Sequence, residues 1–229
     1  MPDFSCIITA GGSSLRFGDK EKKQFYKIND KPIINYTIEL FYEIKDINEI
    51  IITLPIDDFE AAAQKLMNNF PEKIKCILGK DTRQKSVYNA IQICDMSNKY
   101  VMIHDAVRPY VNISDINSMI ELTKNHNAVI PGAKVKNTIK KIEINKIIET
   151  INRDDLIEVY TPQMFKLDLI KDYHEKAKFI DKIFTDDASI LEHFNIPVYW
   201  HETDSSNIKI TTKDDIDFLQ FLLNKKRML

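Results

Sequence analysis

Short apolar, strand-like runs alternate with amphipathic stretches through the first half of the chain, and this alternation constrains the fold more than any single motif. Residues 4–9 form a compact apolar run that ends in Ala10-Gly11-Gly12-Ser13-Ser14. Residues 32–41 then read as a helix with proline in its first turn, where a missing N–H costs nothing. Residues 49–54 predict a strand, 57–68 a helix, 74–78 a strand, 83–93 a helix and 100–104 a strand. Such repetition predicts an α/β fold in which a mostly parallel, twisted sheet carries helices on both faces. Sheets of this kind take ligands outside the carboxyl ends of their strands, where strand order switches. The loops after Thr9, Leu78 and Ile103 are therefore the places where chemistry is expected.

The pattern changes over residues 134–150, where Val135, Ile139, Ile142, Ile144, Ile147 and Ile148 are interleaved with Lys, Asn, Thr and Glu. This predicts a hairpin turning near 143–146, projecting from the body as an arm over about residues 134–152. An isolated hairpin is only marginally stable in water, so a second subunit is expected to pack against it. Beyond the arm, residues 168–177 and 186–194 read as helices, 198–201 and 208–210 as strands, and 212–223 as a closing helix. At 229 residues and 44% hydrophobic, the chain is expected to form one domain around a sizeable core.

A balance of 32 basic against 34 acidic residues, net charge -2, leaves no footprint for nucleic acid or an anionic membrane surface. No apolar run reaches the ~18 residues of a spanning helix, and the start lacks a signal-peptide layout, so a cytoplasmic location is expected. Cys6, Cys76 and Cys94 are far apart and set among apolar neighbours, which predicts reduced packing residues.

Three clusters carry the chemistry. In the first, glycines at Gly11 and Gly12 let backbone N–H groups approach phosphates, and Arg16 and Lys23 add cations that suit a triphosphate and charge developing in transfer. Lys20, Lys22 and Lys27 read as solvated surface charges. The second is His104-Asp105-Ala106-Val107-Arg108-Pro109, directly after an apolar strand. Asp105 is a candidate magnesium ligand, Ala106 leaves room beside it, and Arg108 offers a planar fork for phosphate or carboxylate; His104 is left without a role. In the third, Gly79 to Val87, backbone groups and Ser86 can read a base, while Asp81 or Thr82 caps the following helix.

Together with Lys23-Gln24-Phe25, Thr161-Pro162-Gln163, Thr185-Asp186-Asp187-Ala188-Ser189 and Asn207-Ile208-Lys209-Ile210-Thr211, these motifs follow one another in the order of the methylerythritol phosphate cytidylyltransferase family, which the chain resembles over essentially its whole length. The resemblance implies a Rossmann-like nucleotidyltransferase fold and a homodimer whose arms reach the neighbouring active sites. It implies attack by a polyol phosphate on the α-phosphorus of CTP, with magnesium, in isoprenoid precursor synthesis. By the same resemblance Arg16 and Lys23 are catalytic, and Ala10, Gly11, Gly12, Gly79, Ser86, Asp105 and Ala106 meet the nucleotide, Asp105 also the metal. Arg108, Thr138, Arg153, Thr161, Thr185 and Lys209 are implied to hold the polyol phosphate, Arg153 being supplied by the partner. Asp186 and Asp187 are expected to serve the helix or its neighbours, because acids beside a bound phosphate would repel it.

Elementary electrostatics agrees with this chemistry. Two phosphate-bearing reactants bring about six negative charges together, which is costly unless fixed cations already wait. No protein nucleophile is required, since a phosphate oxygen is already one at neutral pH. Departures from the family pattern are Lys80 in place of a common glycine, Lys22 in place of a common proline, and Asn137 in place of a common aspartate. The alternatives are a ribitol 5-phosphate cytidylyltransferase and, in another class, a non-catalytic dimeric nucleotide sensor. The loop over 13–22 is expected to be mobile without CTP.

Overall fold

A computed structural model describes residues 3–12, 17 and 22–227 of the chain. Arg16 and all of the 13–22 loop except residues 17 and 22 lie outside them, as does the expectation about that loop's mobility. Strand β1 (Phe4–Thr9) is followed by a small antiparallel pair, β2 (Lys27–Ile28) and β3 (Lys31–Pro32), and by α1 (Ile33–Tyr42). The alternation then runs β4 (Ile47–Leu54), α2 (Phe59–Asn69), β5 (Ile74–Leu78), α3 (Arg83–Gln92) and β6 (Tyr100–Asp105), close to the boundaries read from periodicity. Next come α4 (Ile113–His126), β7 (Ala128–Lys134), the arm strands β8 (Ile139–Glu143) and β9 (Lys146–Ile151), β10 (Ile157–Val159) and β11 (Gln163–Lys166). The chain closes with α5 (Leu167–Ala177), α6 (Ala188–His193), β12 (Tyr199–Glu202) and α7 (Asp214–Arg227).

The main sheet has eight strands. β5, β4, β1 and β6 lie side by side and parallel, and β11 joins β6 antiparallel to lead on to β7, which β10 and β12 also flank. Alternate side chains face opposite sides of such strands. Cys6 and Ile8 of β1 with Ile50 and Ile52 of β4 pack against α1, α2 and α4, whereas Ile7 and Ile51 pack against α3, α5 and α6. Two cores thus sandwich the sheet, and β1, buried on both faces, reads as the continuous apolar run seen in the sequence. Connections leave β1 towards β4 and return to its other side at β6, so the order switches at the carboxyl end of β1.

The expected strand at 208–210 is not formed. Ile210 donates a single backbone bond to Val107 O at 2.9 Å, and its fully buried side chain anchors the segment as a strap across the end of β6. One bond makes no ladder, but it aims Lys209 inward. The helix expected from 186 starts at Ala188, because the Asp186 carboxylate accepts Ser189 N at 3.1 Å ahead of it. Helix α7 begins at Asp214 rather than 212, with the Asp215 carboxylate accepting Thr211 N at 2.7 Å and Thr212 N at 2.8 Å. The arm turns as read, through a two-residue connection that holds Ile144 at φ 54. No helix among the described residues is long and apolar enough to cross a membrane. The three cysteines are free; burial pushes the thiol of Cys76 up to about 11 and that of Cys94 up to about 12, which leaves both unreactive.

Candidate active site

A cleft of about 650 Å³ opens at the switch point, lined from the ends of β1, β4, β5 and β6 and from the 208–210 strap. Ala10, Gly11 and Gly12 form one wall, Lys80 to Arg83 and Ser86 another, and Asp105, Ala106, Val107 and Lys209 the floor. Ala10 N donates to Thr53 O at 2.9 Å, which fixes the start of the glycine loop. A Cβ on Gly79 would lie 3.2 Å from Leu54 O and 3.4 Å from Gly11 Cα, so glycine there lets two loops meet backbone to backbone. Ser86 is buried; its hydroxyl accepts Lys80 N at 2.8 Å and donates to Thr82 O at 2.9 Å. That hydroxyl ties the loop to the first turn of α3. Thr82 caps α3 by accepting Lys85 N at 3.2 Å, in agreement with the capping expectation.

Lys23 stands on a three-residue 3-10 turn, Lys23–Phe25, and lines the same cleft as Asp105. Its Nζ donates to Ile210 O at 3.0 Å. The neighbouring Gln24, 2% exposed, donates to Ala10 O at 2.7 Å and so ties the turn to the glycine loop.

Asp105 is the electrostatic centre. Its Oδ2 meets Lys209 Nζ at 2.9 Å and Arg108 Nε at 3.3 Å; its Oδ1 has longer contacts, to Arg83 Nε at 3.5 Å and Thr9 Oγ1 at 3.3 Å. Burial alone would raise its pKa, but Arg83, Lys209 and Arg108 outweigh burial and hold the carboxyl far below the usual carboxylate range. Three cations around one carboxylate leave surplus positive charge facing the cleft, the field that approaching phosphates require. Arg108 is further fixed by Nη1 donating to Asn207 O at 2.7 Å and by lying 5.4 Å from the Tyr160 ring centroid.

His104, unassigned from sequence, holds this floor together. Its Nε2 bonds Arg108 O at 3.0 Å and its Nδ1 bonds the Thr161 hydroxyl at 3.0 Å, while that hydroxyl accepts Asp105 N at 3.1 Å. Nε2 donates to the Arg108 carbonyl, and because burial disfavours the charged ring, Nδ1 is left to accept from the Thr161 hydroxyl. Burial lowers its pKa from 6.5 to about 4. The unfolded chain therefore gains a proton near 6.5 while the native one resists until about 4, so stability is complete above 6.5 and is lost as pH falls through this window. The difference amounts to roughly 3 kcal/mol across the window. Urea titrations at about pH 7 and about pH 5 should show about 2 kcal/mol of that loss, and His104→Gln should flatten the slope between them; an unchanged slope in the variant would assign it to other groups.

Behind Asp105 lies a second buried set, in which Arg83 and His174 have no role assigned from sequence. Arg83 Nη1 meets Asp187 Oδ2 at 2.7 Å, and Asp187 Oδ1 meets His174 Nε2 at 3.1 Å. Gln163 accepts the backbone N–H groups of Asp187 and Ala188 at 3.2 and 3.1 Å and donates to Asp186 at 2.6 Å. Asp186 and Asp187 thus serve the helix and its neighbours. The available signal was Arg83 itself, an arginine opening a helix at the mouth of a cleft.

The described candidates divide in two. Ala10, Gly11, Gly12, Lys23, Ser86, Asp105, Ala106 and Lys209 line the cleft, Gly79 supports its wall, and Arg108 and Thr161 are bonded to its floor. Thr138, Arg153 and Thr185 are exposed and outside its lining; Arg153 donates instead to Lys136 O near the arm base.

The comparisons agree with this geometry. The 2-C-methyl-D-erythritol 4-phosphate cytidylyltransferase family profile matches residues 4–225. The cytidylyltransferase of that name from Dictyoglomus thermophilum is 41% identical over 227 residues, covering 97% of each chain. One from Clostridium botulinum is 38% identical over 223 residues, 96% of this chain and 99% of its own. Among solved structures, the 4-diphosphocytidyl-2C-methyl-D-erythritol synthase of Anaerococcus prevotii superposes with TM-score 0.85 at 30% identity, covering 96% of this chain and 98% of its own. The Francisella tularensis cytidylyltransferase does so with TM-score 0.82 at 30% identity, over 96% and 99%. By profile, by relatives matched end to end and by fold, the chain belongs to the 2-C-methyl-D-erythritol 4-phosphate cytidylyltransferase family.

Proposed function

We propose that the chain transfers the cytidylyl group of CTP to 2-C-methyl-D-erythritol 4-phosphate, releasing pyrophosphate, in isoprenoid precursor synthesis. The observation that carries this reading is the convergence of Lys23, Arg83 and Lys209 with Asp105 in one cleft at the sheet's switch point. A polyol phosphate oxygen attacks the α-phosphorus, and the bond to the bridging oxygen breaks as pyrophosphate leaves with the electron pair. Lys23, with Arg16, steadies the charge moving onto the leaving group. Gly11, Gly12 and Gly79 let main-chain groups lie against the nucleotide. Arg108 and Lys209 receive the polyol phosphate, with Thr161 holding the floor and Thr138, Thr185 and a partner's copy of residue 153 completing the pocket.

Magnesium fits the donor set. Among the described residues no three His, Cys, Asp or Glu side chains gather as a metal cage. A single carboxylate suits an ion that keeps waters and takes its other ligands from substrate phosphates. Asp105 would hold it through Oδ1, whose contacts are the longer ones. When bound, the ion supplies charge neutralisation on the phosphates.

Incubating the protein with CTP and each polyol phosphate separately tests the reading. Pyrophosphate should appear with methylerythritol phosphate; efficient turnover of ribitol 5-phosphate alone would reassign the substrate, and CTP binding without turnover of either would favour a sensor.

The homodimer rests on the arm. Ile142, Ile144, Ile147 and Ile148 are 65%, 89%, 67% and 50% exposed on a two-stranded sheet separate from the main one. Such a surface needs cover. The double substitution Ile144→Lys, Ile147→Lys should convert the dimer to monomer in sedimentation and lower kcat/KM by about tenfold or more. A variant that stays dimeric with full activity would place the interface elsewhere.

A further inference from the structure

A second recess, about 220 Å³, lies where α1 and α2 meet the β2–β3 pair, apart from the catalytic cleft. Its walls are apolar: Phe25, Pro32 and Ile34 on one side, Ala62 and Leu66 on the other. Two exposed lysines, Lys27 and Lys65, stand at it, and among the described residues no carboxylate lines it. Neighbouring lysines are paired, Lys22 with Asp57 and Lys31 with Glu39, but neither Lys27 nor Lys65 forms an ion pair with a described residue. An apolar trough with two uncompensated cations at its edge is complementary to a small amphiphilic anion. Its volume is below the roughly 300–1,000 Å³ of drug-sized pockets, so it takes a short tail rather than a nucleotide or a peptide helix.

We propose that this recess binds a small anion with an apolar tail, its phosphate or carboxylate head between Lys27 and Lys65, and that occupancy adjusts the catalytic cleft. The link is the 3-10 turn that carries both Phe25, in the recess, and Lys23, in the cleft. Gln24 between them holds Ala10 O at 2.7 Å, so displacement of Phe25 acts on the cation and the glycine loop together. The coupling rests on the cytidylyl-transfer reading; the binding site does not.

Calorimetry with hexyl phosphate, butyl phosphate, hexanoate and inorganic phosphate, on full-length protein with CTP saturating the catalytic cleft, separates the two. Hexyl phosphate should bind more tightly than butyl phosphate by about fifteenfold, since each of its two extra buried methylenes adds about fourfold, and inorganic phosphate should give no heat. Comparison with hexanoate distinguishes a phosphate from a carboxylate head. Ala62→Trp, which fills the trough, should abolish binding, and Lys65→Glu should weaken it by about tenfold. Neither substitution touches the catalytic cleft, so both variants should retain cytidylyl transfer without added ligand. Hexyl phosphate should shift the KM for CTP by about threefold or more in the native enzyme but not in Ala62→Trp. No heat with either hexyl phosphate or hexanoate, no dependence on tail length, or binding in both variants equal to that of the native protein would overturn the site. Binding that leaves the KM unmoved would overturn the coupling alone.

Discussion

Lys23→Ala lowers kcat for cytidylyl transfer by about a thousandfold while stability changes by no more than about 1 kcal/mol. The small structural cost follows from its surroundings: the side chain is only half-buried, and its Nζ donates to Ile210 O at 3.0 Å. The large kinetic cost follows from position, because a cation that meets the transferring phosphates matters most when charge moves between them. Single-turnover rates at saturating CTP, with a urea titration of the same sample, separate the two quantities. A fall of less than about tenfold in rate would remove Lys23 from the transfer step. Arg16 carries the same expectation from its motif.

Asp105→Asn should behave differently, losing turnover by about a hundredfold or more and stability by roughly 3 kcal/mol together. The amide keeps the shape but leaves Arg108 and Lys209 without the counter-charge they share, and Arg83 with Asp187 alone. Removing one partner of a buried charge cluster costs more than forming it gained, because the remaining charges stay desolvated. Arg83 retains Asp187 at 2.7 Å, whereas Lys209 is partly exposed and can turn to solvent, which keeps the estimate near the lower end of about 3–5 kcal/mol. For a chain of this size the loss corresponds to a Tm lower by about 6–12 °C. A variant as stable as the native protein would mean that the three cations repel one another less than their distances imply.

The parallel half of the fold was legible because β1, β4, β5 and β6 are apolar runs bounded by turn residues, and the burial of β1, β4 and β6 on both faces needs no distant partner to predict. Residues 111–133 were left unassigned, although signals stand there: Asn112 caps α4 by accepting Ser114 N at 3.0 Å, and Asn127 ends it at φ 65. Strands β10 and β11 were beyond reach for another reason. Each is short, and its pairing with β7 or β6 is long-range and antiparallel, which local periodicity does not encode. Within the site, Asp105, Lys23 and the glycine loop were legible as residue types at strand ends. The roles of His104 and Arg83 were not, because each depends on partners far along the chain, Thr161 for one and Asp187 for the other.

The hairpin formed by β8 and β9 shares no hydrogen-bond ladder with the main sheet. Substitutions in it therefore leave the register of β1, β4 and β6, and the carboxylate and cations those strands hold, undisturbed. Sequence change can accumulate in this appendage while the cleft at the ends of β1, β4, β5 and β6 keeps its geometry.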